Sequence, residues 1–74
     1  MSDLVKRSLS LSGHRTSVAL EPEFWKVLDQ MATERALSFA ALVASIDAKR
    51  TPDRPLASAL RVAALMDARK TGDD

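Results

Sequence analysis

Gly13-His14-Arg15-Thr16-Ser17-Val18-Ala19-Leu20-Glu21-Pro22-Glu23-Phe24-Trp25 changes its apolar rhythm within a few residues. Up to Leu20 the pattern alternates, with Thr16, Val18 and Leu20 on one side and Arg15, Ser17 and Ala19 on the other, as a half-buried strand requires. The branched Cβ atoms of Thr16 and Val18 favour the pleated conformation. After Pro22 the apolar residues fall at helical spacing. Pro22 suits a first helical turn, where its missing N–H costs nothing, and Glu21 and Glu23 place negative charge at the positive end of the dipole. A lone strand running into a helix has no partner of its own, so a second copy of the chain is expected to supply one, giving a dimer with a two-stranded ribbon.

Downstream, Phe24, Val27, Leu28 and Met31 recur at three- and four-residue steps and predict a helix ending near Arg35-Ala36. Ser38 is a good N-cap for a second helix from Phe39 to about Arg50, with Leu42, Val43 and Ile46 on its apolar stripe. Pro52 and Pro55 interrupt helicity. Asp53 is then a candidate cap for a third helix, from about Pro55 to Arg69, and the tail from Thr71 to Asp74 reads as unstructured. One domain results: a flexible arm over 1–6, a strand-helix-helix core over 15–50 and a third helix over 54–70.

Upstream, Arg7 to Ser12 alternates as well, with Leu9 and Leu11 opposite Ser8, Ser10 and Ser12. Two readings stay open. As a loose arm this run leaves a slim ribbon; folded back through Ser12-Gly13-His14 it makes a hairpin, and a dimer sheet then grows to four strands.

The chain has 74 residues, 46% of them apolar and 28% charged, and belongs with soluble globular proteins rather than disordered ones. A monomer of this size buries only about 60% of its unfolded surface, a shortage that a shared dimer core relieves. There is no cysteine, which excludes disulfides and thiolate metal sites and fits a reducing cytoplasm. No apolar run reaches the roughly 18 residues of a membrane span, and no signal-peptide core follows Lys6 and Arg7. Net charge is +1, but Lys6, Arg7 and Arg15 gather near the N-terminus and Lys49, Arg50 and Arg54 form a second basic segment. His14 has no second histidine or cysteine with which to share a metal. No nucleophile–base pair, Gly-rich phosphate loop or metal-spaced cluster is present, so neither an enzyme nor a cofactor is expected.

The segment Lys6-Arg7-Ser8 through Gly13-His14-Arg15-Thr16-Ser17 to Leu20-Glu21 resembles that of small bacterial ribbon-helix-helix domain proteins. Phe24-Trp25, Leu37-Ser38, Ala41-Leu42 and Arg54-Pro55-Leu56-Ala57-Ser58-Ala59-Leu60-Arg61 extend the likeness over about Lys6 to Leu65. The resemblance implies a mainly α fold with a short β ribbon, a ribbon-helix-helix-like homodimer with an additional C-terminal helix. It implies a DNA-binding transcriptional regulator, a repressor, whose intermolecular ribbon enters the major groove. By that analogy Arg15, Ser17 and Ala19 read bases, while Thr16, Val18 and Leu20 face a dimer core completed by Phe24, Trp25, Leu28, Leu42 and Ile46. The N-terminus of the second helix, at Ser38, Phe39 and Ala40, would meet a phosphate. Many relatives carry Gly where this chain has Ala36; Ala in a left-handed cap costs about 1 kcal/mol.

Beside the resemblance, Lys6 and Arg7 are candidate phosphate contacts on a flexible arm, and His14 is a turn residue or a phosphate contact. Double-stranded DNA and a second copy of the chain are the expected partners. The alternative is a dimeric protein-interaction, adaptor or antitoxin-like module with a protein partner, in which the ribbon does not read DNA. Its motives are the near-neutral charge, Ala19, and the apolar Leu9 and Leu11. A structural three-helix domain without the strand is the plainest reading.

Overall fold

The computed structural model describes residues 3–72, with side chains through residue 70. Two strands come first, β1 (Val5–Leu11) and β2 (His14–Leu20), followed by α1 (Pro22–Glu34), α2 (Phe39–Lys49) and α3 (Leu56–Gly72). Residues 1–2 of the expected arm and 73–74 of the expected tail lie outside the described residues. Val5 and Lys6, placed in the arm above, belong to β1 instead, and Thr71 and Gly72 close α3.

The hairpin reading of residues 7–12 is the one the structure adopts. Ser12 and Gly13 both take positive φ, 51° and 81°, as a two-residue type I′ turn requires. The twist of that turn matches the strands it joins, so β1 and β2 pair antiparallel from Val5 opposite Leu20 to Leu11 opposite His14. The ribbon is therefore made within one chain. The expectation that β2 must borrow its partner from a second copy is corrected, because the alternating run containing Leu9 and Leu11 supplies it.

Register assigns the faces. Leu9, Val18 and Leu20 turn inward and are buried, while Lys6, Ser8, Ser10, Arg15 and Ser17 point outward and are exposed. Trp25, Leu28, Met31 and Ala32 of α1, Leu42 and Val43 of α2, and Leu60 and Ala64 of α3 complete the core. Leu20, Leu28, Leu42 and Leu60 are fully buried, each contributing about 1.5–3 kcal/mol by leaving water. Of the residues assigned above to a dimer core, Leu20, Leu28, Leu42, Val18 and Trp25 are thus buried in a single chain, and Thr16, Phe24 and Ile46 are half-buried there. Within the chain, β1 and α3 help to cover these residues.

Each helix starts and stops for a local reason. Glu21 precedes α1 in an extended conformation with Pro22 in the first turn. Its carboxylate accepts from Arg61 Nε of α3 at 3.0 Å, tying the two ends of the core together. α1 ends in a Schellman motif: Leu37 N–H donates to Ala32 O at 2.9 Å and Ala36 N–H to Thr33 O at 3.1 Å, with Ala36 at φ 55°. Ser38 Oγ accepts the amide of Ala41 at 3.0 Å and caps α2. Beyond α2 the guanidinium of Arg50 staples the turn, donating to Asp47 Oδ1 and to the carbonyl of Arg54. The third helix starts at Leu56, and Asp53 does not cap it: Thr51 hydrogen-bonds its carboxylate and lowers its pKa, with its own amide adding to the effect.

Two measurements check these local devices. Ala36→Gly relieves the left-handed strain, so its melting temperature should rise by about 4–8 °C, equivalent to about 1 kcal/mol. The carboxyl of Glu21 is held below its ordinary value of 4.5, first by its own backbone amide and then by Arg61. A depressed carboxylate stabilises the fold above its unfolded pKa and loses that contribution as pH falls through the folded one. Thermal melts should accordingly decline below about pH 4.5, and Glu21→Gln should flatten that decline while lowering the melting temperature at neutral pH.

Candidate nucleic-acid interface

The outer face of the ribbon brings six side chains together in three cross-strand pairs: Lys6 with Ala19, Ser8 with Ser17, and Ser10 with Arg15. Apart from half-buried Ala19, all are exposed. Arg15 Nη2 leans diagonally to Ser8 Oγ at 3.3 Å, a weak contact that leaves most of its donors outward. The surface is thus a narrow strip of hydroxyls with a cation towards each end. Two strands about 4.8 Å apart, with short side chains, match a DNA major groove about 12 Å wide.

Of the residues expected to read bases, Arg15, Ser17 and Ala19 share this face. Lys6 joins them as a strand residue rather than as part of an arm, and it sits beside Ala19, which lacks a polar group of its own. Ser8 and Ser10 were missed as site residues. Their signal was the alternation of serines in the first run, which acquires an outward meaning only once the hairpin closes.

The inner face explains why the strip is held firmly. Arg7, expected as a phosphate contact on a flexible arm, turns inward and forks onto both carboxylate oxygens of Asp29 at 3.0 Å each. That hydrogen bond raises the pKa of Arg7. Its guanidinium lies 4.7 Å from the ring of Trp25 and 5.0 Å from that of Phe39. These two rings are tilted at 57° with centroids 5.9 Å apart, and Trp25 Nε1 donates to the carbonyl of Val5 at 2.7 Å. One cluster therefore joins β1, the middle of α1 and the first residue of α2.

His14 stands exposed beside the turn, paired with Leu11 on the inward-facing side of the ribbon and not among the outer six. Ser38 and Ala40 are exposed at the start of α2. Because Ser38 Oγ takes the amide of Ala41, the first-turn amides of Phe39 and Ala40 remain directed out of the helix end. That end carries the positive pole of the dipole, with the Arg7 cation beside Phe39. No group of three or more His, Cys, Asp or Glu suited to a metal occurs among the described residues. No helix among them is long and apolar enough to cross a membrane.

A β ribbon with a polar outer strip, backed by a helix pair and extended by a third helix, defines a ribbon-helix-helix class of domain. The chain belongs to that family: the model of the ribbon-helix-helix domain matches residues 4–68. Comparison with curated proteins and with solved structures found no match.

The role of Arg7 yields a direct check. Arg7→Ala should lower stability by about 1–2 kcal/mol in urea unfolding, from the lost ring stacking and ion pair. Arg7→Lys should recover only part of it, since an ammonium cannot fork onto both oxygens of Asp29 as the guanidinium does.

Proposed function

We propose that the protein is a sequence-specific DNA-binding transcription regulator, acting in the bacterial cytoplasm as a repressor, whose hairpin enters the major groove outer face first. The observation that carries this reading is the exposed strip on the ribbon, where Arg15 and Lys6 flank a run of serines on a firmly held base. Arg15 is shaped to fork onto the O6 and N7 atoms of guanine, Ser17 and Ser8 to exchange hydrogen bonds with base edges, and Ala19 to meet a thymine methyl. Lys6, beside Ala19, contacts a phosphate. The outward amides of Phe39 and Ala40, with Ser38, anchor a neighbouring phosphate, and His14 meets the backbone at the hairpin tip. Arg7 acts through Asp29 and the rings, positioning the start of α2.

The family's usual habit of pairing chains enters the same proposal. Two copies bind as a homodimer, each placing one intrachain hairpin in the groove of its own half-site. Pairing through the ribbon edges would make a four-stranded sheet about 19 Å across, too wide for that groove. The dimer contact is therefore assigned to a surface away from the ribbon. The competing reading, a dimeric adaptor or antitoxin-like module that does not read DNA through the ribbon, draws on the overall charge of only +1.

Titration of the full chain against genomic DNA fragments at low salt decides between them. Retarded fragments whose affinity falls as salt rises are expected; no salt-sensitive shift leaves only the competing reading. Arg15→Ala should cost about 1–3 kcal/mol at preferred sites and relax their sequence preference, whereas Lys6→Ala should weaken all sites alike.

A further inference from the structure

The ribbon accounts for little of the chain's positive charge. Of the 11 basic side chains, six line one open groove of about 770 Å³ bordered by α2, α3 and the end of α1: Arg35, Lys49, Arg50, Arg54, Arg69 and Lys70. Among the described residues one carboxylate, Asp67, lies in the groove's lining, and it already pairs with Arg35 at 3.5 Å. Arg50 is held by Asp47, and Arg54 donates to Ser58 Oγ. Lys49, Arg69 and Lys70 have no ion pair among the described residues and are exposed.

The floor between these cations is apolar. Met31, Ile46 and Ala63 contribute to it, and Val62 and Met66, one helical turn apart on α3, leave 42% and 57% of their surface in water. Water covers such large side chains at a cost, and an exposed methionine adapts its shape to an incoming apolar group. An apolar floor with a cationic rim is the complement of an amphipathic helix whose polar face is acidic.

The same observations argue against other occupants. A nucleic acid would use the rim but gain nothing from Met31, Ile46, Val62 and Met66. A second copy apposing the same groove across a two-fold axis would set Lys49, Arg69 and Lys70 against the same cations of the other copy. We propose that this groove docks an acidic amphipathic helix of a partner protein, its apolar stripe on Val62, Met66 and Ile46 and its carboxylates on Lys49, Arg69 and Lys70. The site is separate from the outer face of the ribbon and does not depend on the DNA-binding reading.

The test uses the full chain and a fluorescein-labelled synthetic peptide of about four helical turns, with leucines at i, i+3, i+4 and i+7 and glutamates on the other face. Anisotropy should show saturable binding, and amide shifts should map to α2 and α3. A scrambled peptide of identical composition and a version with lysine for glutamate should each bind about tenfold more weakly or worse. Met66→Glu and Arg69→Glu, both at exposed positions and checked for unchanged melting, should weaken the parent peptide by a similar factor. Several results would overturn the proposal: absent binding, equal binding of the scrambled peptide, indifference to both substitutions, or shifts confined to the ribbon. A DNA duplex that displaces the peptide and shifts the groove amides would reassign the site to nucleic acid. Self-association that protects Met66 would reassign it to a second copy.

Discussion

Two consecutive residues with left-handed backbone, Ser12 and Gly13, govern what the rest of this chain is able to be. They reverse the chain in two residues, and a two-residue reversal permits a single register. With Leu11 opposite His14 and Val5 opposite Leu20, every side chain of both strands receives its face. A slip of one residue would turn Leu9, Val18 and Leu20 into solvent and draw Arg15 and Ser17 against the helices. The inner triad then has enough apolar surface to hold α1, α2 and α3 in a core closed within one chain. Glycine serves the second turn position without strain, since left-handed φ costs it nothing.

Arg7 carries that geometry from the ribbon into the helices. A cation on the inner face of a small sheet would ordinarily be a liability. Here its planar group lies near Trp25 and Phe39 while its donors reach Asp29 at the surface, so the charge stays partly hydrated and fully paired. The indole N–H of Trp25 in turn holds the first carbonyl of β1. The consequence for function is rigidity: Lys6 lies between Val5 and Arg7, both fastened, so its outward position is set by the backbone on either side.

A net charge of +1 conceals a strong separation of charge. The ribbon shows a thin strip with Lys6 and Arg15, while the groove near α2 and α3 collects most of the arginines and lysines around exposed Val62 and Met66. Composition alone averages these surfaces against carboxylates such as Asp29 and Glu21, which are already engaged in ion pairs. Electrostatics at contact range follow local arrangement, because screening removes interactions beyond about 8–10 Å at ordinary salt.

The sequence by itself determined the order and type of the elements from His14 onward and most of their ends, while residues 7–12 stayed open between an arm and a strand. Alternation marks strands, three- and four-residue spacing marks helices, and Pro22, Ser38, Ala36 and Pro55 act within a turn of where they stand, so each was legible locally. The shared face of Arg15, Ser17 and Ala19 was legible for the same reason, since strand parity is a local property. Only the tertiary structure decided that β1 pairs with β2, that Trp25, Leu28 and Leu42 are buried within one chain, and that Arg7 faces inward on Asp29. Ser8 and Ser10 joined the outer strip by the same route. Those outcomes depend on contacts between residues far apart in the chain, such as Arg7 with Asp29 and Glu21 with Arg61. Periodicity states which side of an element is apolar; it does not state which element, or which copy of the chain, that side will meet.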